Sequence, residues 1–501
     1  METLKYQQIA LVLGLVFISL AQAQPVAQLP ADVAKMIQDA KLPPESVGVF
    51  VVPVGKRNSQ PVLSANSARS MQPASTIKLV TTAAALDILG PAARNEARLL
   101  TVVRPAASSA ILDTPLFLRG QGSPDLTLQE LRKMLEQMRS DGLQIIRSDL
   151  VIDRSWLQPM RPDVGTPAFD EAPEFPYNFI PDALSLDMNL LTIAIRSGAD
   201  AVAAGGVIAE TRPALEGIKI ISTMTLRNAP CNRWEDKWQI PLVEEGPDNQ
   251  TQITLRGEFP KNCKVETRLN LIDRTQYADR LFRTLWKELG GFYLGKTREA
   301  STAELNALEL IANDPNSTAM AVLARHQSRP LSETMRDINK RSDNPTTRLL
   351  YLSLGAVSKK FASPAQSESA VRNWLRTKGI DDAGLVLDNG SGLSRSERIT
   401  PYQLAMVLVN AFDGPWAPEF LASMPIIGLD GSMRNRLKSS VATQRGRIKT
   451  GGLRDVASIA GYVTDKNNQT HAVVAFINHP TAQSPASRAV LDSIIEWVAG
   501  N

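Results

Sequence analysis

The sequence predicts an α/β (α+β) fold in which an antiparallel sheet is flanked by helices and a large β-rich insertion interrupts the chain. Three observations lead to this prediction. A strand and a helix open the chain between Ser46 and Gly90, short β-like runs fill the region from Asn95 to Thr302, and helices followed by three strands close it. We therefore expect a discontinuous domain built from residues 24–92 and 320–501, with two nested β-rich modules inserted at 93–319.

The opening strand is the run SVGVFVVPV, from Ser46 to Val54, which is short, rich in valine and followed by Gly55. The helix after it is predicted to be amphipathic and to stop at Gly90. Its apolar stripe consists of Leu79, Ala83, Leu86 and Leu89.

The inserted region alternates β-like runs with turns and contains a proline-rich loop at 161–182. Two segments have clear helical periodicity instead, LQELRKMLEQMRSDG and YADRLFRTLWKELGG. The predicted strands are ARLLTVVRP, PLFLRG, DLVIDRSWL, NLLTIAIRS, IKIISTMTLRN and TQITLRGEF.

The last third of the chain returns to helical patterns before the closing strands. Helices are predicted in the segment 331–357, from Ser367 to Lys378, in PYQLAMVLVNAF and in SRAVLDSIIEWVAG. Between the last two, we expect a strand, a glycine-rich bend at Gly451 and Gly452, a second strand, a polar turn at 465–469 and a third strand.

The sequence pattern of residues 1–23 predicts a secretory signal peptide that is cleaved after Ala23. A lysine, Lys5, precedes an apolar run from Ile9 to Leu20, which is short for a membrane span and ends in small residues. An uncleaved anchor is the alternative, because Glu2 offsets Lys5. We expect a periplasmic or otherwise secreted protein with no membrane span in the mature chain, and we leave peripheral association open.

Composition and charge argue against a disordered chain and against a nucleic-acid-binding protein. The chain has 43% hydrophobic and 21% charged residues, which is typical of folded protein, and its net charge of +4 suits an anionic polymer. Since no dense basic run is interleaved with aromatic residues, we expect no nucleic-acid binding.

The two cysteines, Cys231 and Cys263, are expected to form a disulfide in an oxidising compartment, with two free thiols as the alternative. The three histidines, His326, His471 and His479, do not have the spacing of metal ligands. We therefore expect no metal and no cofactor, and we expect His471 and His479 to be surface residues.

Ser75 and Lys78 are the first candidates for chemistry. They lie one helical turn apart and would point the same way, which is the geometry of a nucleophile beside its base. A lysine can be that base only if burial or a neighbouring cation keeps it neutral. Alone the pattern is weak, because about one Ser-x-x-Lys is expected by chance in a chain of this length, and a capping serine at a solvated helix start is the alternative.

Two further motifs strengthen the case. Ser342-Asp343-Asn344 follows a predicted helix, where a hydroxyl and a carboxamide can reach a shared cleft. Lys449-Thr450-Gly451 lies on a predicted strand, whose alternation sends Lys449 and Gly451 to the same face. A cation there can hold a substrate carboxylate, and a glycine lets substrate lie against the strand edge.

These three motifs, in this order, resemble the set found in penicillin-binding proteins and class A β-lactamases. With PASTIKLVTTAAAL, LRGQGSPDLT, NKRSDNPTTRLL, DNGSGLSRSERITP and GLDGSMRNRL, the chain is similar to the peptidase S13 family of D-alanyl-D-alanine carboxypeptidases/endopeptidases, the penicillin-binding protein 4 type. The resemblance implies the penicillin-binding-protein/β-lactamase-like transpeptidase fold, with the insertion between the first two motifs.

The resemblance also implies a role for each residue. Ser75 would be the acylated nucleophile, Lys78 its base and Ser342 the relay of a proton to the leaving amine. The substrate-binding residues would be Asn344 for the amide, Lys449, Thr450 and Gly451 along the strand, and Gly452 through its backbone N–H, which with that of Ser75 would stabilise the oxyanion.

The implied activity is hydrolysis of D-Ala-D-Ala bonds, and of D-Ala crosslinks, in peptidoglycan stem peptides through an acyl-enzyme that β-lactams would also form. The alternatives are a β-lactamase or esterase on the same fold, and a non-catalytic wall-binding protein. One departure is Gly452, where the family usually has serine or threonine, so we expect weaker discrimination for a free C-terminal carboxylate.

Two loops keep two interpretations each. The segment DNGSGLSR, from Asp388 to Arg395, is a glycine-shaped turn or an active-site loop. The acidic loop around Asp170, Glu171 and Glu174 is a solvated loop or a site for cationic peptides.

Overall fold

The structure of the protein is a computed structural model. It describes residues 29–501 except 57–58, 104, 107–108, 199–205, 248–249, 314–319 and 358–360. The predicted signal peptide, residues 1–23, lies outside the described residues.

The described helices lie where the sequence predicts them, together with α1, α5 and α10, which the sequence patterns did not reveal. They are α1 (Ala31–Asp39), α2 (Lys78–Leu89), α3 (Leu128–Ser140), α4 (Arg274–Glu288), α5 (Thr302–Asn313), α6 (Leu331–Arg341), α7 (Asn344–Ala356), α8 (Pro364–Thr377), α9 (Pro401–Asp413), α10 (Ala417–Ser423) and α11 (Pro485–Gly500).

The described strands include every predicted run and several short additions. They are β1 (Val47–Pro53), β2 (Leu63–Ala65), β3 (Glu96–Thr101), β4 (Ile111–Leu112), β5 (Leu116–Gly120), β6 (Ile145–Ile146), β7 (Leu150–Asp153), β8 (Leu191–Arg196), β9 (Ile208–Thr211), β10 (Ile218–Ser222), β11 (Thr225–Arg227), β12 (Trp238–Glu245), β13 (Thr251–Pro260), β14 (Lys264–Leu269), β15 (Phe292–Tyr293), β16 (Thr297–Glu299), β17 (Ala321–Gln327), β18 (Gly446–Leu453), β19 (Val456–Thr464) and β20 (Thr470–Asn478).

Helix starts follow local chemistry. Thr400 accepts a hydrogen bond from the backbone of Gln403, whose side chain accepts one from Thr400 in return, so the start of α9 is a capping box. Proline stands in the first turn of α7, α8, α9 and α11, where its missing N–H costs nothing.

The central sheet joins the two ends of the chain. Its order is β18-β19-β20-β1-β2, and every neighbouring pair is antiparallel. One face shares a hydrophobic cluster with α2 and α6–α10, in which α9 contacts the sheet directly, and the other face shares a cluster with α1 and α11. Because both faces are covered, β19 and β20 are buried along nearly their whole length, and β18 is left as an edge strand beside α2.

In the described residues between α2 and α6, the chain forms four further sheets. A mixed sheet has the order β16-β7-β5-β3-β17, and β13 pairs with β10, β11 and β12 in another. Two three-stranded sheets have the orders β14-β8-β9 and β15-β6-β4. Cys231 and Cys263 form a disulfide in this segment, as predicted. The domain boundaries themselves stay a prediction.

Two local expectations were wrong. Helix α2 is not amphipathic in its surroundings, because every residue from Lys78 to Leu86 is buried between the sheet and neighbouring helices. The glycine-rich bend is also absent, since β18 continues through Gly451 and Gly452, which pair with Ser458 and Ala457. The chain reverses later, at residues 454–455.

Within the part of the chain that the structure describes, no helix has both the length and the apolar character needed to cross a membrane.

Candidate active site

Ser75 lies in a tight turn that leads directly into α2. The turn, Ala74–Ile77, is a short 3-10 helix, and Ala74 adopts φ 45°, a left-handed conformation that is uncommon for residues with a side chain. Lys78 is the first residue of α2, so its amine comes back over the turn to 3.1 Å from the Ser75 hydroxyl oxygen. The predicted nucleophile–base pair is therefore in hydrogen-bond contact.

Lys78 is completely buried, and its amine meets three oxygen atoms. Besides Ser75 Oγ, it donates to Asn344 Oδ1 at 2.7 Å and to the backbone carbonyl of Ser391. Burial lowers the pKa of Lys78 from 10.5 to about 7, although the negative charges of Glu397 and Asp343 act in the opposite direction. A substantial fraction of Lys78 is therefore neutral near pH 7.

The second motif lies at the break between α6 and α7. Ser342 ends α6 in a left-handed conformation, φ 61°, and the Asp343 side chain caps α7 by accepting from the backbone N–H of Thr346 at 2.8 Å. This sharp reversal exposes Ser342 to the cleft and directs Asn344 toward Lys78. The other end of the Asn344 amide donates to the carbonyl of Tyr177, from the loop that follows β7, at 3.3 Å.

The third motif completes the cluster from the edge strand β18. Lys449 is fully buried, and its amine donates to Ser342 Oγ at 2.9 Å and to the carbonyl of Thr450 at 2.7 Å. Burial and then the charge of Lys78 hold the pKa of Lys449 well below its ordinary value. The Thr450 hydroxyl donates to Ser432 Oγ at 2.8 Å.

Gly451 allows β18 to lie directly against the nucleophile's turn. A Cβ at this position would be 2.9 Å from the backbone nitrogen of Ser75 and 2.3 Å from Ser458 Oγ, both too close for a real side chain. At Gly452, a Cβ would be 3.2 Å from Gln483 Nε2, the end of a flexible side chain. A side chain is therefore excluded at Gly451, whereas Gly452 has room for one if Gln483 shifts slightly.

The structure supports both interpretations of the loop from Asp388 to Arg395. Its glycines shape a tight turn, with φ 68° at Gly390 and 82° at Gly392. The loop is also part of the site, because the carbonyl of Ser391 accepts from Lys78.

Glu397 holds this loop together, although no motif in the sequence indicates that role. Its fully buried carboxylate accepts hydrogen bonds from the backbone N–H groups of Asp388, Asn389, Gly390 and Gly392, at 2.7 Å from Gly390 and 2.9 Å from Gly392. Burial raises the pKa of Glu397. The signal in the sequence was an acidic residue just after a glycine-rich turn, which is also typical of a solvated loop.

The acidic loop is only partly solvated, which differs from the solvated-loop interpretation. Glu174 is buried and accepts from the Trp238 indole N–H at 2.7 Å, and Asp170 accepts from the Tyr177 hydroxyl at 2.8 Å. Only Glu171 is largely exposed, with Arg454 at 3.6 Å. The need to fill and anchor a long proline-rich loop explains why two of these acids are turned inward.

The histidines lie outside the cluster. His471, expected at the surface, is buried on β20 and contacts Asp465 through Nε2 at 2.9 Å, because its strand is covered on both faces. His326 is buried beside Asp125, at 3.1 Å. His479 is half-buried, with its Nδ1 at 2.8 Å from the Thr481 hydroxyl. Among the described residues, no group of three or more His, Cys, Asp or Glu side chains is arranged to hold a metal ion.

The chain is similar to known proteins along most of its length. The chain is 26% identical over 488 residues to a D-alanyl-D-alanine carboxypeptidase of Actinomadura sp. (strain R39), covering 95% of this chain and 85% of the relative. It is 26% identical over 439 residues to the D-alanyl-D-alanine carboxypeptidase DacB of Haemophilus influenzae, covering 87% and 86% of the two chains.

The fold matches a solved structure as well. The crystal structure of penicillin-binding protein 4 (dacB) from Haemophilus influenzae superimposes with a TM-score of 0.71 at 23% identity, over 93% of this chain and 100% of that chain. This match identifies the fold as the penicillin-binding-protein/β-lactamase-like fold that the motifs imply. Residues 29–499 match the D-Ala-D-Ala carboxypeptidase 3 (S13) family, and the chain therefore belongs to this family of serine peptidases.

Proposed function

We propose that this protein is a secreted serine DD-peptidase that hydrolyses D-Ala-D-Ala bonds, and D-Ala crosslinks, of peptidoglycan through an acyl-enzyme. One observation carries the proposal. The fully buried Lys78 amine lies 3.1 Å from the Ser75 hydroxyl, with a pKa of about 7. A neutral amine at hydrogen-bond distance from a serine is what nucleophilic attack at neutral pH requires.

In the first step, the Ser75 oxygen attacks the carbonyl carbon of the penultimate D-Ala while Lys78 takes the hydroxyl proton. The carbonyl π electrons move to its oxygen, which the backbone N–H groups of Ser75 and Gly452 would stabilise. The close packing of β18 on the Ser75 turn, which excludes a side chain at Gly451, favours this pair of donors.

Collapse of the tetrahedral intermediate breaks the C–N bond, and the leaving amine needs a proton. Ser342 is proposed to donate it and to recover one from Lys449, 2.9 Å away. Lys78 then passes the proton that it took from Ser75 on to Lys449, which returns both lysines to their starting protonation states. Water attacks the ester carbonyl while Lys78 accepts its proton, and Lys78 transfers that proton to Ser75 Oγ as the ester C–O bond breaks. Removing Ser342 would interrupt the proton route to the leaving amine.

Lys449 and Thr450 are proposed to hold the carboxylate of the leaving residue, and Asn344 to orient the substrate amide. Without substrate, burial keeps the pKa of Lys449 low. A bound carboxylate supplies the missing counter-charge, which raises that pKa and favours the ammonium form. Binding and protonation of Lys449 are thus linked.

The substrate class follows the relatives. Two of them are D-alanyl-D-alanine carboxypeptidases by name, and penicillin-binding protein 4 of Haemophilus influenzae has been crystallised with a β-lactam. We propose that β-lactams acylate Ser75 in this protein. The predicted signal peptide and the disulfide favour the periplasm or another exported location.

The experiment is incubation with purified muropeptides followed by mass spectrometry, alongside labelling with a fluorescent penicillin. The proposal predicts loss of D-Ala from pentapeptides and stable labelling of the wild type, and neither with Ser75→Ala. Equal labelling of Ser75→Ala would contradict it. Rapid turnover of the penicillin would favour the β-lactamase alternative, and wall binding without any product would favour the non-catalytic one.

A further inference from the structure

A basic cavity adjoins the third motif. It has a volume of about 560 Å³ and is lined by Lys340, Arg341, Ser432 and Arg434, and Asp430 is the one acidic residue among the described residues that line it. None of these residues takes part in the acylation chemistry proposed above.

The cavity begins where a leaving group would depart. Ser432 accepts a hydrogen bond from Thr450, which is proposed to hold the leaving residue's carboxylate. Arg341 directly precedes Ser342, the proposed proton donor to the leaving amine. If Thr450 holds the carboxylate of the leaving residue, the cavity lies on the leaving-group side of the bond that is cleaved.

The positive charge of the cavity is only partly neutralised by carboxylates. Lys340 is paired with Asp430 at 2.5 Å, and Arg341 is 3.4 Å from Asp337 on the same helix but remains largely exposed. Arg434 is exposed and has no ion-pair partner among the residues that the structure describes. Exposed guanidinium groups that lack a strong ion-pair partner can bind carboxylates, often through two parallel hydrogen bonds.

Free D-alanine would not need this cavity, because such a leaving group ends at the carboxylate beside Thr450. The leaving group of a crosslink is itself a peptide, which continues past Thr450 and carries further carboxylates. Resting on the proposed function, we infer that the basic cavity binds the anionic leaving peptide of a crosslinked stem, with Arg434 and Arg341 as its carboxylate ligands.

The test compares two substrates with the full-length protein: a stem peptide ending in D-Ala-D-Ala and a crosslinked dimer. The double variant Arg341→Gln/Arg434→Gln should lower the ratio of kcat/KM for the dimer to kcat/KM for the monomer about tenfold, mainly by raising KM for the dimer. Arg336→Gln removes one positive charge from an exposed position on α6 that does not line the cavity, and should leave the ratio unchanged.

A third substrate tests the chemistry of the ligand. Amidating every carboxylate of the leaving peptide except the one held beside Thr450 should slow the wild type on the dimer to the rate of the double variant, and should not slow the double variant further. An unchanged ratio in the double variant, an equal fall in Arg336→Gln, or no effect of amidation would overturn the inference. Failure of the proposed function looks different, because neither substrate would be cleaved and Ser75 would not be labelled by penicillin.

Discussion

Two regions of this molecule bury charged side chains in opposite ways. In the inserted segment, the buried Asp182 lies 2.7 Å from Arg154 and 2.8 Å from Arg274, so each buried charge has a partner. In the active-site cluster, Lys78 and Lys449 are equally buried, and among the described residues neither has a carboxylate within ion-pair distance.

The difference separates a structural use of buried charge from a chemical one. Pairing with two arginines keeps the pKa of Asp182 below its ordinary value despite burial, so it stays ionised. Lys78 lacks such a partner, and burial brings its pKa to about 7. Burial in the low-dielectric interior thus has two results. In the inserted segment it strengthens the ion pairs of Asp182, and in the active site it leaves Lys78 able to act as a base.

Burial of Lys78 also has a cost that depends on pH. Its pKa is lower in the folded state than in the unfolded chain, so protonation disfavours the folded state. The penalty is fully present below about pH 7 and is relieved as pH rises from about 7 to the unfolded value of 10.5.

The largest expected effect comes from making the buried cation permanent. Lys78→Arg keeps the positive charge but cannot lose its proton, so acylation by penicillin should slow by about 10³-fold. Because arginine is larger, Lys78→Met serves as a second variant of closer volume and should be equally slow. If stopped-flow measurements show acylation at nearly the wild-type rate in either folded variant, Lys78 is not the general base.

Breaking the paired region should affect stability rather than chemistry. Asp182→Asn leaves Arg154 and Arg274 without their shared carboxylate and should lower the free energy of unfolding by about 3 kcal/mol, measured with urea at pH 7. The midpoint of the pH–rate profile should not move.

The exposed pair Arg132–Glu288 is the control for this variant. Glu288→Gln should cost less than about 1 kcal/mol, because both side chains are partly solvated. Equal losses in the two variants would show that burial does not distinguish these pairs.

Glu397→Gln sharpens the account of the active site. The substitution removes a negative charge that raises the pKa of Lys78, so the midpoint of the acylation pH profile should fall below that of the wild type. The substitution also removes the carboxylate oxygen that accepts from the backbone N–H of Gly392, so the maximal acylation rate should drop about fivefold. Glu368→Gln on α8 is the control and should leave the midpoint unchanged. A midpoint that rises in Glu397→Gln would refute the claim that the charge of Glu397 raises the pKa of Lys78.

The smallest effect is expected at Gly452. Restoring a hydroxyl with Gly452→Ser should raise the ratio of carboxypeptidase to endopeptidase activity about threefold, through a hydrogen bond to the free carboxylate. Gly452→Ala makes the same contact with Gln483 but has no hydroxyl, so it separates packing from hydrogen bonding. If the serine variant behaves as the alanine variant does, the hydroxyl has no part in recognition.

Local signals in the sequence were sufficient for much of the fold and for the motifs. The spacing of Ser75 and Lys78 within one turn, and the alternation that places Lys449 and Gly451 on one face, both depend on short-range backbone geometry. Capping residues and prolines likewise mark where α7 and α9 begin.

What could not be predicted depends on distant contacts. The all-round burial of α2, the buried position of His471 and the role of Glu397 arise only when remote segments cover them. The pair Gly451–Gly452 predicts a bend, because glycine is common in turns. In this protein, Gly451 is needed because the Ser75 turn packs on its strand.

The pH dependence of penicillin acylation at Ser75 tests the central claim most directly. Measured from about pH 5 to pH 9 at constant ionic strength, the second-order rate constant should rise about tenfold per unit and level off above a midpoint near the Lys78 pKa of about 7. A rate that is independent of pH, or a midpoint above about pH 9, would mean that burial does not neutralise Lys78.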